Sequence, residues 1–144
     1  MKVLNEMKMT IESRSINESF ARVAVAAFAS QLDPNLEEIS DIKTAVSEAV
    51  TNCIVHAYPE KVGKIYISAS VLENSVIRIK IRDNGVGIPD VKKAMEPLYT
   101  SLGGERAGLG FAVMETFTDK VRVRSNVGKG TTVTLEKKMC GRNE

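Results

Sequence analysis

Apolar residues recur at steps of three and four along Ile39, Ile42, Val46, Ala49, Val50, Cys53 and Ile54. That spacing lines one face of a helix, and it predicts a helix ending near Tyr58-Pro59. "NLEE" at 35–38 opens it with a capping residue followed three positions later by an acid. "SINE" at 15–18 has the same form, with Ser15 as the cap and Glu18 reaching back. It predicts an earlier helix that runs to about Leu32, where Asp33-Pro34 stops it.

Elsewhere the period is two. Met7, Met9 and Ile11 predict a first strand. Ile65, Ile67, Ala69 and Val71 predict a second, and Ile77, Ile79 and Ile81 a third, joined as an antiparallel hairpin through "ENS". Arg78, Lys80 and Arg82 then point to the open face of the sheet. "KVRVRS" at 120–125 and "TTVTLEKK" at 131–138 form another hairpin through "NVGKG". Between the hairpins, residues 90–107 are weakly periodic and predict a short helix and a loop. "GLGFAVMETF" at 108–117 is helical after its glycines.

Two hairpins exclude a purely parallel, doubly wound sheet. The economical architecture is an α/β chain of α+β type, one domain over residues 1–144. It is a two-layer sandwich with a mixed, mostly antiparallel sheet and all helices on one face.

Composition narrows the function. The chain has 144 residues, 43% hydrophobic and 26% charged, with a net charge of +2. That charge is too small to suggest nucleic-acid binding, and no basic-aromatic pattern accompanies it. The start has no signal-peptide core, and "VAVAAFA" at 23–29 is far short of a membrane span. A cytoplasmic protein is expected, with Cys53 and Cys140 as free thiols and Cys53 in the core. A single histidine, His56, excludes multi-histidine metal sites.

Candidate chemistry sits in two patterns. Gly85 and Gly87, Gly108 and Gly110, and Gly128 and Gly130 fall at strand or helix ends, where glycine serves either a turn or a close-lying ligand. Neither G-x-x-x-x-G-K-[ST] nor G-x-G-x-x-G is present. Glu48, Asn52 and His56 share one stripe of the longest helix. A solvated face has that spacing too. So does a site in which Asn52 offers an oxygen to Mg²⁺ and Glu48 polarises a hydroxyl beside a phosphate. His56 reads as an interhelix or ligand-edge contact.

"EAVTNCIVHAY" at 48–58, "DNGVGI" at 83–88, "GLGF" at 108–111 and "GTT" at 130–132 occur in that order. Together they resemble the N, G1, G2 and G3 boxes of the GHKL superfamily of gyrases, 90-kilodalton chaperones, sensor histidine kinases and mismatch-repair ATPases. With "NESFARVAVAAFASQLDP" at 17–34 and no dimerisation or phosphoacceptor region attached, the chain is similar to the bacterial anti-sigma factors that are also protein-serine kinases.

The resemblance implies a Bergerat-type ATP-binding fold with MgATP as ligand. Asp83 would accept the adenine amino group, Gly85 and Gly87 would let the backbone pass close to the nucleotide, and Asn52 would hold Mg²⁺. Glu48 would be the general base. Gly108 and Gly110 would serve the phosphates, and Thr131 and Thr132 the pocket floor. Residues 92–107 would be the ATP lid, with Arg106 on the γ-phosphate and Thr100 and Ser101 as further contacts. The implied activity is phosphorylation of a serine on an anti-anti-sigma factor by a homodimer that also holds a sporulation sigma factor. Arg22 interrupts an apolar helix, as a snorkelling surface arginine or as a partner contact. The alternatives are an ATP-dependent binding module without kinase activity and a detached histidine-kinase catalytic domain.

Overall fold

The computed structural model describes residues 1–96 and 110–140. The described elements are β1 (Val3–Glu12), α1 (Ile16–Ala29), α2 (Leu36–Asn52), β2 (Lys64–Leu72), β3 (Val76–Asp83), α3 (Val91–Ala94), α4 (Phe111–Phe117), β4 (Lys120–Asn126) and β5 (Gly130–Lys138). The strands form one sheet in the order β1-β2-β3-β5-β4.

The expectation of a mixed sheet is corrected in one respect, because every ladder is antiparallel. β3 and β4 run in the same direction, so pairing them would have made the sheet mixed. The second strand of the last hairpin, β5, lies between them instead.

Period-two alternation sorts the two faces. Ile65, Ile67 and Ala69 of β2 lie beside Asp83, Ile81 and Ile79 of β3, all buried. Ile42, Ala45, Val46, Ala49 and Val50 of α2 join them in one core, with Ala21, Val25 and Ala29 of α1 and Phe111 and Met114 of α4. Each fully buried isoleucine contributes about 1.5–3 kcal/mol, so this face sets the register. Arg78, Lys80 and Arg82 project from the other face, as their alternation with Ile77, Ile79 and Ile81 requires. Arg78 pairs with Glu136 at 2.7 Å, and Arg82 stacks on Tyr66 at 4.0 Å.

The helix starts differ. Asn35 caps α2 through a complete capping box: its side chain accepts from the Glu38 N–H at 2.8 Å, and Glu38 accepts from the Asn35 N–H at 2.9 Å. The same box at Ser15 does not form. Ser15 already has helical backbone angles (φ −52, ψ −38), and its side chain makes no cap bond. A capping side-chain oxygen reaches the first turn from extended backbone, as the amide oxygen of Asn35 does. Glu18 is instead 3.6 Å from Arg22, one turn along α1.

After Asn52 the helix widens into a π-helical turn over Cys53–Ala57, closed by Tyr58 N–H to Cys53 C=O at 3.1 Å. Such turns often accompany functional sites.

Candidate functional site

On the core face of the sheet the apolar rows stop at one end. The last cross-strand row reads Ile65, Asp83, Thr131, Ser125. Three polar residues thus sit where the pattern elsewhere is aliphatic. Opposite them lies the end of α2. Ala49, Asn52, Cys53, His56 and Ala57 from that end line a cleft with Asp83, Gly87 and Thr131.

Asp83 is 5% exposed, and its carboxylate is held by three donors. Oδ1 accepts the N–H of Gly85 at 2.9 Å and that of Thr131 at 3.2 Å. Oδ2 accepts the Cys53 thiol at 3.6 Å. Burial raises the Asp83 pKa most, and the bonds from Gly85, Cys53 and Thr131 pull it back down, with Arg82 adding a smaller pull in the same direction. The neighbouring polar groups are braced as well. The Thr131 and Ser125 hydroxyls are 2.8 Å apart, and Ser125 Oγ accepts the Ile88 N–H at 2.7 Å.

The loop after β3 is clamped from both sides. Tyr58 Oη accepts the Asn84 N–H at 2.7 Å and donates to the Lys64 carbonyl at 2.7 Å. The Val86 N–H reaches the Ala57 carbonyl at 3.1 Å. Gly85 abuts that same carbonyl so closely that a Cβ would collide with it. Gly87 has φ +82, and a Cβ there would strike the Asn126 carbonyl. Gly87 faces the cleft, whereas Gly85 serves the packing of the loop against the π-helical turn. Gly110 precedes α4 with φ +69 and lies directly against the Glu48 carboxylate. Glu48 therefore stands beside the second glycine box, one turn before Asn52.

The family pattern of the histidine kinase-like ATPase domain matches residues 11–137. An anti-sigma F factor of Caldanaerobacter subterraneus subsp. tengcongensis is 58% identical over 99% of this chain and 99% of its own. Those of Clostridium acetobutylicum and Geobacillus stearothermophilus are 54% and 51% identical, each across 94% of this chain and 95% and 94% of their own. The chain belongs to the anti-sigma F factors, a family built on the histidine kinase-like ATPase domain.

Solved structures agree on the fold. The catalytic domain of histidine kinase ThkA superposes with a TM-score of 0.58 at 16% identity, covering 94% of this chain and 97% of that one. The RsbU and RsbW domains of Rv1364c from Mycobacterium tuberculosis give 0.70 at 20%, covering 94% of this chain and 33% of that one. An ATPase domain carries ATP binding with it.

The residues lining the cleft of this anti-sigma F family member suit such a ligand. The Asp83 carboxylate, Gly87 and the Asn52 amide all face it. Among the described residues no cluster of three or more His, Cys, Asp or Glu is placed to hold a metal ion. Mg²⁺ held chiefly by phosphate oxygens needs no such cluster.

The structure gathers Asn52, Asp83, Gly87 and Thr131 on one cleft, and brings Glu48 and Gly110 together. Thr100, Ser101, Arg106 and Gly108, with most of the 92–107 lid, lie outside the described residues. Thr132 is corrected: strand alternation sends it to the open face, between Arg82 and Arg124. Arg22 is half-buried on α1, beside Glu18.

Three participants escaped sequence reasoning. Cys53 is in the core as expected, but it also faces Asp83; its place next to Asn52 was the available signal. Ser125 and Tyr58 act through sheet register and loop closure, and no spacing announces either.

No helix among the described residues is long and apolar enough to cross a membrane.

Proposed function

We propose that this chain is a cytoplasmic, homodimeric anti-sigma factor that binds sigma F and phosphorylates a serine of an anti-anti-sigma factor with MgATP. Residues 1–144 act as one kinase domain, with 92–107 as its lid. What carries this reading is the shared cleft: an acid suited to adenine and an amide suited to Mg²⁺ line it together, with the Glu48 carboxylate one turn before that amide and against Gly110.

Asp83 accepts the adenine amine, Gly87 lets the backbone approach the base, and Gly85 and Thr131 hold the carboxylate in place. Asn52 supplies the protein's oxygen to Mg²⁺, which when bound offsets phosphate charge. Gly108 and Gly110 approach the phosphates, Arg106 the γ-phosphate, and Thr100 and Ser101 the lid side. Glu48 orients the serine hydroxyl and takes its proton as the new P–O bond forms and the bond to ADP breaks.

The names of the relatives support sigma F as partner. The exposed face of α1 supports a second copy: Ile16, Phe20 and Val23, at 80%, 54% and 53% exposure, lie one turn apart beside the edge strand β1. Arg22 on the same helix is a candidate sigma contact.

The test is transfer of label from γ-labelled ATP to serine on the purified anti-anti-sigma factor. Glu48→Gln should abolish transfer and keep ATP binding. Absence of label, with sigma F binding that still responds to ATP, would replace the kinase reading with that of a binding module.

A further inference from the structure

We propose that Cys53 is a specificity-determining positioning residue, whose thiol fixes the Asp83 carboxylate so that one acceptor site is presented to the amine of adenine. The inference rests on the adenine reading of the cleft and adds the residue that makes it selective.

An ionised carboxylate has about four acceptor sites, two on each oxygen. The N–H groups of Gly85 and Thr131 take both on Oδ1. The thiol of Cys53 takes one on Oδ2. Among the described residues one acceptor site remains, on a side chain that lines the cleft. The two backbone donors come from the loop after β3 and from β5, so they fasten only one oxygen. Without a third donor Oδ2 is held only indirectly, through the bonds to Oδ1, and can swing about the Cβ–Cγ bond. The thiol comes from the π-helical turn and limits that swing by bonding Oδ2 itself.

The thiol has the right protonation state for this task. It lies buried 3.6 Å from a carboxylate oxygen that only accepts, and that hydrogen bond needs the proton on sulfur. A thiolate there would repel the carboxylate. The same features make Cys53 a poor nucleophile, which argues against a reactive role.

Selectivity follows from chemistry. The open site on Oδ2 accepts from an amine. A base with an oxo group in that place brings a second acceptor against it, leaving two buried acceptors face to face. A carboxylate whose Oδ2 can swing relieves that conflict and tells the two bases apart less well.

The experiment compares binding of ADP and inosine diphosphate, which differ at that substituent, by calorimetry without metal. The wild-type protein is expected to prefer ADP by at least about tenfold. Cys53→Ala should narrow the preference to within about threefold, chiefly by gaining inosine diphosphate affinity. Cys53→Ser, which keeps a donor, should restore it. Cys53→Val fills the space without a donor and should behave as alanine does.

Equal weakening of both nucleotides in the alanine and valine variants, with the ratio unchanged, would mean that Cys53 only packs, and would overturn the proposal. A wild-type protein that binds both nucleotides alike would overturn the adenine reading itself, and this assignment with it.

Discussion

The carboxylate of Glu48 occupies the space that a side chain on Gly110 would need. Gly110 also has φ +69, a region that costs other residues about 1–2 kcal/mol. Both facts predict the same outcome for Gly110→Ala. Glu48 should be displaced from the mouth of α4, serine phosphorylation should fall at least about tenfold, and stability should drop by about 1–2 kcal/mol. Labelled-ATP assays and urea melts of the variant check the two effects separately.

Asp83 predicts an unusual response to acid. Its folded-state pKa is raised, so the folded protein binds a proton more readily than the unfolded chain does. Its contribution to stability therefore improves as pH falls from the raised value toward the ordinary aspartate range. Above the raised value the full cost of burying the charge is present. Asp83→Asn should leave the nucleotide-free protein at least as stable at neutral pH, flatten this part of the pH dependence, and abolish ATP binding. Urea denaturation across a pH series, with and without ATP, reads all three.

The two helix starts make a matched pair. Asn35→Ala removes a formed cap and should cost about 1 kcal/mol. Ser15→Ala removes a hydroxyl that caps nothing and should cost less than about 0.5 kcal/mol. Equal losses in thermal melts would contradict the difference in backbone angles between the two positions.

The open face of the sheet predicts a salt response. Lys80 and Arg122 flank Thr134 from either side, and Arg82 and Arg124 flank Thr132. Such pairs lie about 10 Å apart, within the Debye length at low ionic strength. The melting temperature should rise as salt goes from about 0.01 M to about 0.5 M. Arg122→Glu should raise it at low salt and shrink the response to added salt.

Much of this was legible beforehand. Ile42, Val46, Ala49 and Val50 announced α2, and Ile65 through Ile81 announced β2 and β3, because burial of one face imposes its period on the chain. The resemblance of the four boxes pointed to Asn52 and Asp83 before any fold was seen. Ser15 misled because sequence shows which residue is able to cap, not what backbone angle it will have. Thr132 misled because a motif names neighbours together that a strand sends to opposite faces.

By itself, the sequence determined the elements and their amphipathic faces through the order of apolar and polar residues, and pointed to the family through the resemblance of four short boxes. These rest on local periodicity and on short motifs, and both are properties of contiguous chain. Only the tertiary structure decided that β5 would lie between β3 and β4, that the last sheet row would set Asp83 beside Thr131 and Ser125, and that Cys53 would meet Asp83 from thirty residues away. Those relations depend on how hairpins and helices dock. Docking is settled by the fit of whole faces against one another, which no single stretch of sequence encodes.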